Sequence, residues 1–195
     1  MSLNTPSMRM RQSTRRPPGP KSGEGAGRGE VLLLAARPWF IWGSLLVALL
    51  VEFLPLGRHP WLPDVLAATL VFWAVHQPRR VGIGAGFLLG LLVDVQQGAL
   101  LGEHALAYTL LAFLAVALHR RLLWFSLPQQ ALQVLPLFFA AQVLEFVVRM
   151  ATGSSFPGWS WFLAPVLQAL LWPGLSWLLL APQRRAPDTD QNRPL

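Results

Sequence analysis

Six apolar stretches separated by short polar punctuation run through this 195-residue chain and leave few architectures open. They cover about residues 40–56, 61–75, 81–95, 101–118, 130–148 and 159–180. Only 13% of the residues are charged, against about 25% in an ordinary soluble domain, so the chain lacks the polar surface that water would require. The expected fold is therefore an all-α integral membrane protein with six transmembrane helices, in which each helix satisfies its own backbone polar groups. Crossing the hydrocarbon core takes roughly 20 residues at about 1.5 Å rise. The second and third stretches are shorter, so they begin in the headgroup region or end in a protein-lined cavity. Five spans or a re-entrant segment is the alternative.

Basic residues give the orientation. With a cytoplasmic N-terminus, the inner segments hold Arg9, Arg11, Arg15, Arg16, Lys21, Arg28, Arg37, Arg79, Arg80, Arg120, Arg121, Arg184, Arg185 and Arg193. The outer ones hold only Arg58 and Arg149. The positive-inside rule then puts both termini in the cytoplasm, which requires an even number of spans. Trp39, Trp42, Trp73 and Trp177 fall near the inner boundary, and Trp61, Trp159 and Trp161 near the outer one, as interfacial anchors would. Residues 1–30 read as a disordered basic cytoplasmic tail, too poor in apolar side chains to order itself. Residues 31–181 form the six-helix transmembrane domain, opening on a short surface lead-in at 31–36, and 182–195 a short cytoplasmic tail. The basic tail adheres to anionic lipid, at about 1 kcal/mol per basic residue, or binds a cytoplasmic filament. The net charge of +7 is spread between the apolar runs, so nucleic acid is not an expected partner. Without cysteine there is no thiol nucleophile, disulfide framework or Cys-ligated metal.

Five acidic residues lie outside the tails: Glu52, Asp64, Asp94, Glu103 and Glu145. All fall in or beside the outer third of a stretch. Such groups are costly unless they meet water, a partner or an opposite charge. They mark wet helix ends or converge on a polar pocket or docking surface. Glu145 and Arg149, four apart with Glu first, are placed for a local ion pair. His59 and His104 lie on the same side, but their spacing from the acids matches no metal motif, so neither metal nor cofactor is expected.

Gly82, Gly86 and Gly90 recur every four residues, Asp94 follows at the same interval, and Gly98 and Gly102 continue the count. A step of four drifts only about 40° around a helix, so the glycines form a smooth ridge, widened by Gly84, that another helix can approach closely. The ridge packs the protein against itself or receives a partner. Pro136, Pro165 and Pro173 stand inside apolar runs, where they kink or interrupt helices.

The run Gly86-Phe-Leu-Leu-Gly90-Leu-Leu-Val-Asp94, followed by Gly98, Gly102, Ala105 and Leu106, is preceded by Pro63-Asp64, Trp73 and Gln77-Pro-Arg-Arg-Val-Gly82. Together these residues, with Trp172-Pro173 in the last stretch, resemble MreD, the small membrane protein of the bacterial rod-shape (elongation) system. The likeness covers roughly residues 39–180. The long Arg/Pro/Gly tail departs from the family, whose members usually begin close to the first span. The resemblance implies a scaffold in the bacterial cytoplasmic (inner) membrane that acts with the bitopic MreC and the actin-like MreB in regulating cell shape. It implies a link to the glycosyltransferase RodA and a class B penicillin-binding transpeptidase. It also implies a compact bundle similar to the substrate-binding subunits of energy-coupling-factor transporters. It supplies no catalytic residue.

The residues themselves hold no Walker A run, HExxH or GxSxG. Ser44 and Ser176 have no identifiable base, and Tyr108 is the single tyrosine. The leading hypothesis is a non-catalytic scaffold binding an MreC-like helix, with Gly86, Gly90, Asp94, Gly98 and Gly102 as candidate contacts and Asp64 and Glu103 nearby. The rival is a small-solute transporter or substrate-binding membrane subunit, which predicts a closed polar pocket. An enzymatic reading would need an acid–base pair within hydrogen-bond reach in a cavity.

Overall fold

The structure, a computed structural model, describes residues 37–54 and 61–183. The basic N-terminal tail, the 31–36 lead-in, Arg58, His59 and residues 184–195 of the C-terminal tail lie outside the described residues. Six α-helices occur in the expected order: α1 (Pro38–Glu52), α2 (Val65–His76), α3 (Ile83–Gln97), α4 (Glu103–Leu123), α5 (Leu127–Ala151) and α6 (Ala164–Leu180). A 3-10 segment, Trp159–Leu163, leads into α6. There is no strand among the described residues. Helices α4, α5 and the last stretch, Trp159–Gln183, are long and apolar enough to cross a membrane. The first three helices are apolar but shorter, at 12–15 residues.

The chain sets the helix ends with local chemistry. Pro38 opens the first turn of α1, where a missing N–H costs nothing. Asp64 caps α2: its Oδ1 accepts the Ala67 N–H at 2.7 Å. Gly98 closes α3 at φ +60°, a left-handed conformation that a side chain resists by about 1–2 kcal/mol. At the start of α5, the Gln129 Oε1 accepts the Ser126 N–H at 3.2 Å. Pro165 sits in the first turn of α6. Pro136 and Pro173 lie inside α5 and α6, so neither interrupts its helix.

The short α2 is the centre of the bundle. Every residue from Leu66 to Val75 is buried, because α1, α4 and α6 all pack on this helix. A helix apolar all round belongs in such a place, and a helix screened by protein need not match the hydrocarbon thickness. Around it run α3 against α4, α4 against α5, and α5 against α6.

Tryptophans lock these layers. Trp73 stands edge-on to Phe72 at 5.0 Å between ring centroids, and Trp172 packs with Phe72 and Phe138 at 6.3 and 6.4 Å. Both of these indole N–H groups have an acceptor on a neighbouring helix: Trp73 Nε1 donates to Ser44 Oγ at 2.7 Å, and Trp172 Nε1 to Gln130 Oε1 at 3.3 Å. Trp73 and Trp161 are thus corrections to the expected interfacial belt. Both are buried, because their rings fill gaps between helices, whereas Trp39, Trp42, Trp61, Trp159 and Trp177 are exposed.

Candidate functional site: an acidic cavity at one end of the bundle

The C-terminal ends of α1, α3 and α5 and the N-terminal ends of α2, α4 and α6 meet around a cavity of about 730 Å³. Glu52, Asp64 and Glu145 line it. Asp94 and Glu103, both buried, stand behind its wall at the α3–α4 turn. The five acids outside the tails therefore gather at one end. Arg37, Arg79, Arg80, Arg120 and Arg121 belong to the opposite ends of the same helices.

Asp94 is fully buried, and its carboxylate closes the α3–α4 hairpin. Oδ2 accepts the N–H of Gly102 at 2.8 Å and of Ala105 at 3.3 Å. Oδ1 accepts the N–H of His104 at 2.8 Å and faces that residue's Nδ1, also at 2.8 Å. These backbone donors belong to the first turn of α4, which has no carbonyl partners of its own. The negative charge also sits at the positive end of the helix dipole. The positive φ of Gly98 (+60°) and Gly102 (+110°) lets the chain turn back so tightly that α4 starts over Asp94.

The glycine ridge is taken up by the same hairpin. A Cβ on Gly86 would lie 2.6 Å from the Tyr108 carbonyl oxygen. One on Gly90 would lie 2.5 Å from both the His104 carbonyl oxygen and Ala105 Cα. These are backbone atoms of α4, so the close approach expected of another helix is made by α4 of this chain. Gly84, with nothing within 4 Å, takes no part.

The local ion pair expected of Glu145 and Arg149 is present, at 4.0 Å from Arg149 Nε to Glu145 Oε1. The same Nε pairs more closely with Glu103 of α4, because the α5 and α4 ends face each other and Glu103 is the more deeply buried acid. Arg149→Gln is expected to destabilise the protein by about 2 kcal/mol, since it strands a buried carboxylate. Adding Glu103→Gln should recover part of that loss, measured as Tm in detergent.

Several polar residues that the sequence reading left without a role complete the site. The Tyr108 hydroxyl donates to Asp64 Oδ2. Gln168 Nε2 donates to the Asp64 carbonyl at 3.0 Å, and Gln142 Nε2 to the Trp161 carbonyl at 2.7 Å. The available signal was simple: a glutamine inside an apolar run must find a partner on another helix. Glu103, His104 and Glu145 carry ligand-type atoms within 4.8 Å of one another. The Arg149 guanidinium already sits on Glu103, and His104 Nδ1 is engaged by Asp94.

The comparisons with known proteins give this geometry a family. The chain matches the family described as rod shape-determining protein MreD over residues 35–181. It is also 32% identical over 145 residues to the Rod shape-determining protein MreD of Haemophilus influenzae, covering 73% of this chain and 88% of that protein. The chain belongs to the MreD family. No solved structure matches it. Together with its long apolar helices, membership makes this MreD-family chain a membrane protein with a role in rod-shape determination. Within it, the glycine-and-aspartate run that carries the resemblance is the hairpin clasp described above.

Proposed function

We propose that this chain is a non-catalytic scaffold of the cell-wall elongation machinery. It spans the inner membrane six times with both termini in the cytoplasm, and its bundle shares the arrangement of the substrate-binding subunits of energy-coupling-factor transporters. It binds an MreC-like bitopic protein, and through it helps to link MreB to RodA and a class B penicillin-binding transpeptidase. The observation that carries this reading is the family match over nearly the whole helical region, residues 35–181.

The spent carboxylates support a structural role: Asp64 and Asp94 hold helix ends, and Glu103 holds Arg149. Partner recognition on this reading moves away from Gly86, Gly90 and Asp94, which α4 covers. It falls on the turn carrying Gly98 and Gly102 and on the end near Asp64 and Glu103. Co-expression of the tagged chain with MreC tests it. MreC should stay with the chain through affinity and size-exclusion steps in mild detergent, and a monodisperse chain that retains no MreC would count against the proposal.

A further inference from the structure

Arginines gather at the end of the bundle opposite the acids. Arg37 precedes α1, Arg79 and Arg80 lie in the α2–α3 turn, and Arg120 and Arg121 stand in the last turn of α4; all are exposed. The acids among the described residues, Glu52, Asp64, Asp94, Glu103 and Glu145, belong to the other end. Charge of one sign without counter-charge repels itself, so this end favours an anion.

Helix contacts place the arginines at one depth. At the acidic end the Tyr108 hydroxyl meets Asp64. From there α2 and α4, which pack together, run the same way, so His76 and Arg120, equally far along, stand about level. Arg79 follows just past the end of α2. Trp73 meets Ser44 of the antiparallel α1, and the chain from Ser44 back to Arg37 runs to the same end. Helix α4 has 21 residues, about 30 Å at about 1.5 Å each, which matches the hydrocarbon core. With Glu103 at one boundary, Arg120 and Arg121 reach the phosphates of the other leaflet.

The surface beside them is apolar. Trp39 and Trp124 are 88% and 90% exposed, and Ile83, Phe87 and Phe113 continue exposed apolar surface along α3 and α4. An indole among arginines suits the headgroup level, and guanidinium pairs with phosphate oxygens through two parallel hydrogen bonds. A soluble acidic peptide would neutralise the arginines and leave the apolar flank uncovered. A phospholipid covers both, with its phosphate on the guanidinium groups and its acyl chains along the helices. The positive-inside bias decides only which way a chain threads; it does not require one lipid to be held over another.

We propose that the arginine end is a binding surface for an anionic phospholipid, with Arg79, Arg120 and Arg121 on its phosphate and Trp124 beside its headgroup. The surface requires no MreC, so it stands or falls apart from the scaffold reading.

The test is thermal unfolding of the full-length chain in neutral detergent micelles. Phosphatidylglycerol is added in one arm, phosphatidylcholine of the same acyl chains in a second and water-soluble glycerol phosphate in a third. Phosphatidylglycerol should raise Tm by about 5 °C or more at a hundredfold excess over Kd, and the other two should not. The rise should vanish in Arg79→Gln/Arg120→Gln/Arg121→Gln and persist in Arg9→Gln/Arg11→Gln/Arg15→Gln/Arg16→Gln, which takes charge from the basic tail instead. Should the triple variant fail to fold, Arg120→Gln/Arg121→Gln carries the test and should lose at least half of the rise. Equal stabilisation by phosphatidylcholine would overturn the proposal, as would a response that survives the bundle substitutions but is lost with the tail arginines. Equal stabilisation by glycerol phosphate would make this a site for free phosphate and remove the lipid from it. Stabilisation by polyglutamate in place of phosphatidylglycerol would assign the face to an acidic protein segment and equally overturn the proposal.

Discussion

Gly90→Ala, the addition of one methyl group, is expected to cost about 3 kcal/mol, a Tm loss of about 10 °C in detergent. The new Cβ would stand 2.5 Å from Ala105 Cα and from the His104 carbonyl oxygen. Those atoms are the first turn of α4, pinned from below by Asp94, so no flexible side chain can move aside. Relief requires α3 and α4 to separate, which loosens the hairpin contact along its length. Gly84→Ala is the control. It lies on the same helix with nothing within 4 Å of its added Cβ, and helix propensity favours alanine there by about 1 kcal/mol. It should leave Tm unchanged or slightly raised. Equal losses at the two positions would show that α4 does not lie where the structure puts it.

Asp94→Ala is the second large effect. It leaves the Gly102, His104 and Ala105 N–H groups without an acceptor at a buried position. Removing an ordinary helix cap costs about 0.5–2 kcal/mol, and each stranded buried donor adds about 1–3 kcal/mol where water cannot reach it. A total near 3 kcal/mol or above is the expected outcome. Asp94→Asn should fall between wild type and alanine. One amide oxygen still accepts, while the amide nitrogen turns a donor toward N–H groups that are themselves donors. Melting temperatures in the order wild type, Asn, Ala check the clasp; an asparagine variant as poor as alanine would shift the weight from hydrogen bonding to charge.

The helices were legible because hydrocarbon demands long uniform runs, whereas the residues that set several of their ends, Pro38, Asp64, Gly98 and Ser126, do so through local contacts that the apolar runs alone did not mark. The gathering of acids at one end was legible too, once the alternation of spans placed Glu52, Asp64, Asp94, Glu103 and Glu145 on the same side. What the sequence left open was which face meets which. A four-residue glycine spacing states that something approaches closely, and α4 and a partner helix satisfy it equally. Deciding between them took the backbone turn at Gly98 and Gly102. The Arg149–Glu103 pair was hidden for the same reason. The 145/149 spacing is the obvious local partner, and only the packing of α4 on α5 brings in a residue 46 positions away. Trp73 misled because its place near a span end resembled a belt residue, while α2 is enclosed on all sides.

The central claim is that the acidic ends of the six helices lie together on the outer face and the arginine ends on the inner. The natural absence of cysteine lets single-cysteine variants report this cleanly. Leu101→Cys and Ser154→Cys stand at the acidic end, and Trp124→Cys at the arginine end; all three positions are exposed. A membrane-impermeant maleimide applied to intact spheroplasts should label the first two, and should label Trp124→Cys only after lysis. Labelling of Trp124→Cys in intact spheroplasts, or of Leu101→Cys and Ser154→Cys only after lysis, would contradict the account.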